Sequence, residues 1–352
     1  MKVIIVGAGI AGLSAAIALK RSIPSISIQV FEIRDKPSTI GGAVNLTPNA
    51  LRYLSHLKAL DRLKDKACPL RAIDIVSCRT GHKVSEMSFD VPDSDGHQAL
   101  RAKRADLLAA LTDTWRLDHG GEVMYDARLT AIERGSAGVV RASFSVGGGA
   151  PLSVDAHLLL GTDGIHSAVR ATYVEPARKE VYSGVATANG MVAVPAGAHF
   201  GLPFDATAVF ASRRGSLLLS FASADRADVY LGAVMETSEV SSREGWRALG
   251  EDQDAVRAEI FGRFGETGPL ATRIADVLQL LPDWFLYPVY KLPPGGVWCK
   301  DQVMLLGDAA HAVSWLLCEM TGIYLSAYYQ RRCHRKGNLP ALPLRMLCSF
   351  RV

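Results

Sequence analysis

Residues 1–32 contain the feature that most restricts what this chain can fold into. Lys2–Val6 reads KVIIV, a β-branched run suited to a strand buried on both faces. Gly7-Ala8-Gly9-Ile10-Ala11-Gly12 follows directly, and Leu13 to Lys20 then reads as a helix rich in small residues. Ser27–Phe31 (SIQVF) is a second strand, ending at Glu32. Each glycine has a physical reason. Gly7 permits a sharp strand-to-helix turn, Gly9 lets an anion approach the backbone, and Gly12 lets the helix pack close to the strand. The unpaired N–H groups at the helix start then face the anion. Glu32 lies 20 residues past Gly12, where a carboxylate can accept hydrogen bonds from ribose hydroxyls. The order strand, glycine turn, helix, strand and acid points to a bound dinucleotide. A P-loop is excluded, because Gly12 is followed by Leu13-Ser14 with no lysine. The motif alone does not separate FAD from NAD(P). The apolar run after Met1-Lys2 superficially resembles a secretory signal, but the glycine turn accounts for the same residues.

Three later segments add to this unit. Arg104-Ala105-Asp106-Leu107-Leu108 opens an apolar-periodic helix running to about Leu117. By itself Arg104 reads equally as a solvated arginine at a helix end. Ala156 to Leu160 (AHLLL) reads as a buried strand and leads into Gly161-Thr162-Asp163-Gly164. Gln302 to Leu306 (QVMLL) repeats the design and leads into Gly307-Asp308 and a helix start. Either aspartate could be a plain helix N-cap. Together, the segments would bring ligand-facing groups from distant parts of the chain to one sheet edge.

The 352 residues give a prior of about two domains at ~150 residues each. Hydrophobic residues at 49% and charged residues at 21% exclude a disordered, collagen-like or coiled-coil chain. The net charge of +4 is uneven: residues 315–352 hold six basic residues and one acidic, leaving 33 basic against 34 acidic before them. A neutral body offers no nucleic-acid-binding face. The cysteines (Cys68, Cys78, Cys299, Cys318, Cys333, Cys348) form no C-x-x-C pair and no zinc-spaced cluster, so no metal site is expected and a reducing, cytoplasmic setting is the default. No uninterrupted apolar stretch reaches membrane-spanning length.

The sequence resembles the FAD-dependent aromatic monooxygenases with a single dinucleotide-binding domain, the group that includes salicylate hydroxylase and p-hydroxybenzoate hydroxylase. The motifs that carry the resemblance are GAGIAG at 7–12 with Glu32, GGAVNLTPNALRYL at 41–54, RADLL at 104–108, TDGIHSAVR at 162–170 and LLGDAAHA at 305–312. They cover roughly residues 1–314, and the fungal branch linked to secondary metabolism looks nearest. NAD-dependent dehydrogenases are not expected to carry the later motifs, and the arginine that amine oxidases place after their glycine pair is missing. The resemblance implies an α/β fold: a Rossmann-like FAD-binding domain with a parallel sheet (1–171 and 297–314) and a mixed-sheet α+β substrate domain (172–296). Strand segments near 70–100 would join the second sheet.

The resemblance also implies roles. Gly7, Gly9 and Gly12 would hold the FAD pyrophosphate, and Glu32 the adenosine ribose. Gly42 and Ala43 would lie on the flavin side, and Arg104 would contact the phosphate and ribityl region. Asp163 would support the pyrophosphate and the approach of the nicotinamide cofactor, and Asp308 would bond the ribityl chain. His311 reads as a packed helix histidine. The implied reaction uses NAD(P)H and O2 to hydroxylate an aromatic or polyketide-like small molecule through a flavin hydroperoxide, with no obligate protein partner. An epoxidase on the same scaffold is the neighbouring reading.

No catalytic side chain is identifiable in the substrate half. Tyr182, Tyr230, Trp284 and Tyr287 are aromatic candidates for a pocket, with core packing the plainer role. Ala188-Asn189-Gly190 stands where this branch often carries an arginine, so the resemblance does not extend to recognition of an acidic substrate. After Ser314 the sequence leaves the family pattern. Trp315 to Gly322 replaces a proline and glycine-rich turn, and the rest is rich in Cys and Arg. Residues 315–352 are expected to be a divergent tail, arising from a frameshift, a retained intron or an altered gene model. The other account of these residues is a divergent but working tail, and the alternative to the enzyme reading is a truncated or mis-spliced family member that binds FAD poorly and is not catalytic.

Overall fold

A computed structural model describes residues 1–38, 42–90, 96–135, 138–266 and 268–312. Gly41 and the tail after Ala312, both named above, lie outside the described residues.

In the first half of the chain the strands are β1 (Lys2–Val6), β2 (Ser27–Phe31), β3 (Ala43–Leu46), β4 (Cys68–Pro69), β5 (Ala72–Ser77), β6 (Lys83–Ser88), β7 (Leu100–Lys103), β8 (Val123–Met124), β9 (Ala127–Arg134) and β10 (Val140–Val146). The second half adds β11 (Leu152–Ala156), β12 (Leu158–Gly161), β13 (Val181–Ala193), β14 (Thr207–Ser212), β15 (Gly215–Phe221), β16 (Asp228–Glu236), β17 (Phe285–Lys291), β18 (Cys299–Lys300) and β19 (Val303–Leu305). The α-helices are α1 (Ile10–Ser22), α2 (Pro48–His56), α3 (Arg104–Asp113), α4 (Arg243–Glu251), α5 (Gln253–Phe264), α6 (Ala271–Gln279) and α7 (Asp308–His311).

The first sheet has the order β18-β19-β12-β1-β2-β8 and is parallel except for the β18–β19 pair. Its apolar runs are buried on both faces: Val3, Ile4 and Ile5 of β1 and Leu159 and Leu160 of β12 are fully buried. The small antiparallel sheet β11-β10-β9 covers one face through a shared core, with Phe31 stacked on Phe144 at 4.0 Å between ring centres. The expected strand over Ala156–Leu160 is broken in two. Ala156 ends β11 in that small sheet, His157 donates its N–H to the carbonyl of Lys2, and β12 starts at Leu158. A continuous apolar run does not reveal that its two ends serve different sheets. The helix read over Leu13–Lys20 extends to Ile10–Ser22. The helix after Arg104 widens into a π-type turn at Thr114–Asp118.

The second sheet has the order β17-β13-β16-β15-β14-β5-β6 and is mixed, since β14 and β5 are parallel and the other pairs antiparallel. One of its faces carries Ala188, Leu217, Leu219, Leu231, Ala233 and Phe210, which pack with Val256, Ile260, Ile274 and Trp284 into a core under α5 and α6. Side chains alternate across a strand, so Thr187, Asn189, Tyr230 and Gly232 lie on the opposite, inner face. The short sheet β3-β7-β4 reaches this inner face, because Tyr230 of β16 lies against Gly42 and under Arg101 of β7. Among the described residues no helix is long and apolar enough to cross a membrane.

Candidate functional site

The register of the first sheet decides where the site lies. Val6, Phe31, Gly161 and Leu305 pair side by side at the carboxyl ends of β1, β2, β12 and β19. The residues just beyond them (Gly7, Glu32, Thr162-Asp163 and Leu306-Gly307-Asp308) therefore leave the sheet at one level. With about 4.8 Å between neighbouring strands, the row from Glu32 to Asp308 covers roughly 14 Å. In an open α/β sheet the crevice outside the carboxyl ends is the ligand position.

The glycine turn is built for close approach. Gly7 has φ +105°, and a Cβ there would stand 2.6 Å from the carbonyl oxygen of Thr162 and 3.0 Å from the Cα of Asp163. At Gly12 a Cβ would be 1.9 Å from the carbonyl oxygen of Gly7. Gly9 differs: it is exposed, and a Cβ there meets nothing within 4 Å. It is also the N-cap of α1 and supplies no side-chain cap, so the N–H groups of the first turn open toward this empty side. An anion fits that geometry.

Glu32 closes one end of the row. Its Oε2 accepts from the N–H of Ala8 at 2.8 Å, and its Oε1 from the N–H of Arg34 at 3.1 Å. The carboxylate is thus held against the glycine turn by two backbone donors, with lone pairs to spare for hydroxyl donors. Tyr125 stands close by, its phenol held up by burial and then by the charge of Glu32.

Asp163 is turned into its own loop. Oδ1 accepts from the hydroxyl of Ser167 at 2.5 Å and Oδ2 from the N–H of Val169 at 3.0 Å. Burial pushes its carboxyl up, against the downward pull of these bonds. The N-cap bond of the following turn is made by Ser167, whose hydroxyl accepts from the N–H of Arg170 at 2.9 Å, so Asp163 is not a plain helix N-cap but braces the loop that leads into the turn. Asp308 is exposed and opens α7 after Gly307, which has φ +59°. A Cβ on Gly307 would sit 3.0 Å from that of Ala11, so the start of α7 abuts the first turn of α1. The structure thus brings Gly7, Gly9, Gly12, Glu32, Asp163 and Asp308 to one edge.

Gly42, Ala43 and Arg104 form a second group. The N–H of Arg104 donates to the carbonyl of Gly42 at 3.0 Å, and Ala43 pairs with Lys103 between β3 and β7. A Cβ on Gly42 would lie 2.2 Å from the ring of Tyr230, so glycine is required there by the approach of the second sheet. Lys103, the N-cap residue of α3, bonds Asp228 of β16 at 2.8 Å, and this bond raises the lysine pKa. His311 is pressed against Trp298 at 5.2 Å between ring centres, and burial lowers its pKa.

Three contributors escaped the sequence reading. Thr162 is buried, and its hydroxyl lies 2.8 Å from the carbonyl oxygens of both Val6 and Gly7, which clamps the glycine turn. Arg170 is 1% exposed and bonds Ala309 O at 2.9 Å and Glu180 at 3.1 Å, so it joins the Asp163 loop to α7. Arg178 bonds Ala310 O at 3.1 Å and Pro293 O at 2.6 Å. The two arginines thus bond neighbouring backbone carbonyls of α7. The segment TDGIHSAVR signals all of this only in part, because Thr162 and Arg170 act on partners more than 130 residues away. Of the aromatic candidates, Trp284 belongs to the core under α5 and α6, Tyr230 lies on the inner face, and Tyr182 packs with Trp246 and Tyr290.

A protein-family profile described as FAD binding domain matches residues 1–263. The chain is 27% identical to a FAD-dependent urate hydroxylase of Klebsiella pneumoniae over 315 residues, covering 89% of this chain and 76% of the relative. It is 28% identical to a 3-amino-4-hydroxybenzoate 2-monooxygenase of Streptomyces cremeus over 313 residues, covering 88% and 72%. The crystal structure of Klebsiella pneumoniae HpxO complexed with FAD and uric acid superposes with a TM-score of 0.73 at 26% identity, covering 89% of this chain and 74% of that one.

Proposed function

Because the chain belongs to the FAD-binding-domain family of flavin-dependent aromatic monooxygenases, we propose that it uses NAD(P)H and O2 to hydroxylate a small aromatic or polyketide-like molecule. The observation that supports this most strongly is the in-register row of strand ends, which sets an uncapped glycine turn between Glu32 and Asp308. A rigid, extended molecule with a pyrophosphate at its centre matches such a row.

In this reading Gly7, Gly9 and Gly12 give the pyrophosphate its backbone donors, and Glu32 accepts from the adenosine ribose. Asp163 shapes the loop beneath the pyrophosphate, and Asp308 accepts from the ribityl hydroxyls. Arg104 adds positive charge, and Gly42 and Ala43 line the ring side. Residues 1–171 and 297–314 form the cofactor domain. Residues 172–296, with β5 and β6, form the substrate domain, whose inner face roofs the ring. Bound FAD supplies the redox chemistry, taking a hydride and activating O2. The chain's own residues hold the cofactor, orient the substrate and exclude water.

The test is a visible spectrum of the purified protein before and after NADPH, followed by NAD(P)H consumption with a panel of phenols. A yellow protein that is bleached by NADPH, with consumption stimulated by a phenol, is expected. A colourless protein that releases no flavin on denaturation refutes the reading.

A further inference from the structure

Side chains of matching period tie β7 to β16. Arg101 and Lys103 alternate along β7, as Asp228 and Tyr230 do along β16, so each pair shares one face of its strand. The faces meet residue on residue: Lys103 Nζ donates to Asp228 Oδ2 at 2.8 Å, and the Arg101 guanidinium lies 5.3 Å from the centre of the Tyr230 ring. Asp228 is a firm anchor. Its N–H donates to Ser223 Oγ at 2.9 Å, and its carbonyl accepts from the N–H of Ala222 at 2.8 Å. Ser223 in turn donates to Asp225 Oδ1 at 2.7 Å. With its main chain bonded on both sides, Asp228 holds its carboxylate at a fixed place on the second sheet.

Lys103 stands at a junction. It is the last residue of β7 and the N-cap of α3. Its backbone pairs with Ala43 of β3, and the next residue, Arg104, donates its N–H to the carbonyl of Gly42 at 3.0 Å. Peptide units are planar and stiff, so where Asp228 holds Lys103, the positions of Gly42, Ala43 and Arg104 follow. These are the residues assigned above to the ring side and the phosphates of FAD. An acid on the lysine's own helix, Asp106, stands farther off at 3.7 Å. The shorter bond goes across to the second sheet.

Stability alone does not account for this pair. The side chains of Lys103 and Asp228 are 33% and 28% exposed, and an ion pair so open to water adds little to folding. What it does supply is geometry: a long, flexible lysine is held in one direction by a carboxylate whose backbone is fixed.

We propose that Asp228 is a positioning residue for the cofactor: through Lys103 it sets where Arg104, Gly42 and Ala43 stand against FAD. This rests on the flavin monooxygenase reading given above and extends the grip on the cofactor to the second sheet. Titration of the flavin-stripped full chain with FAD, followed by fluorescence, and with AMP, followed by calorimetry, tests it. AMP carries the adenosine end alone, which belongs to Glu32 and the glycine turn. Lys103→Met and Asp228→Ala are each expected to raise the Kd for FAD about three- to fivefold and to leave that for AMP unchanged. The double variant is expected to be no worse than either single one. The sign at Asp228 is diagnostic, because removing an acid near a bound anion would by charge alone tighten it. Melting curves screen each variant for folding, and Asp228→Asn carries the test if Asp228→Ala does not fold. Tighter FAD binding in Asp228→Ala overturns the proposal and makes Lys103 a direct phosphate contact. Equal losses for FAD and AMP overturn it by making the pair a general support of the fold. Unchanged FAD affinity in both single variants, or losses that simply add in the double variant, overturn it as well. In all of these FAD still binds, and the flavin reading stands. A wild-type chain that binds no FAD overturns both.

Discussion

Alanine at Gly9 and at Gly12 separates packing from ligand binding within a single turn. At Gly12 the added Cβ would be 1.9 Å from the backbone oxygen of Gly7 and 2.7 Å from Thr162 Oγ1. Relief requires a shift of roughly 1 Å between α1 and β1, and the obstacle is backbone, which cannot rotate away. Overpacking of this kind costs about 1–3 kcal/mol and can cost more, so Gly12→Ala is expected to lower the Tm of the apoprotein by several degrees. At Gly9 the backbone is in an ordinary region (φ −76°), and the new methyl meets no atom of the chain. Gly9→Ala is therefore expected to leave apoprotein stability within about 0.5 kcal/mol of wild type. It should nevertheless raise the Kd for FAD at least about tenfold, a loss of ~1.4 kcal/mol, because the methyl fills the space a pyrophosphate needs. Thermal melts of the apoproteins and fluorescence titration with FAD read the two effects independently. Wild-type FAD affinity in Gly9→Ala refutes the placement of the pyrophosphate on this turn. A wild-type melt in Gly12→Ala refutes the packing argument.

The folded-state pKa of His311 is depressed by burial, below an unfolded value of about 6.5. Its contribution to stability is present above pH ~6.5 and is lost as pH falls from there through the folded value, because the unfolded chain then binds the extra proton. His311→Asn is expected to show a flatter loss of Tm between pH 7 and pH 5; parallel curves for the two proteins would refute this. Gly42→Ala drives a methyl to 2.2 Å from the Tyr230 ring, so it should destabilise by about 1–3 kcal/mol. Gly42→Ala combined with Tyr230→Leu should recover part of that loss, and strict additivity in denaturant unfolding would show that the two sites do not press on each other.

Sequence alone determined much of the first thirty-two residues: β1, β2 and the steric need for glycine at Gly7 and Gly12 follow from local periodicity and from the demands of one turn. It also marked the strand-to-aspartate turns at Asp163 and Asp308. Tertiary structure decided what local pattern cannot encode. The parallel register of β1, β2, β12 and β19 aligns Glu32 with Asp308, although they are 276 residues apart in the sequence. The break at His157 depends on which sheet each half of an apolar run joins. Thr162 and Arg170 gain their meaning from carbonyls supplied by distant strands and by α7. The meeting of β7 with β16 became visible only once the fold set Lys103 beside Asp228, 125 residues further along the chain. Periodicity says which residues share a face, whereas what that face meets belongs to the packing of the whole chain.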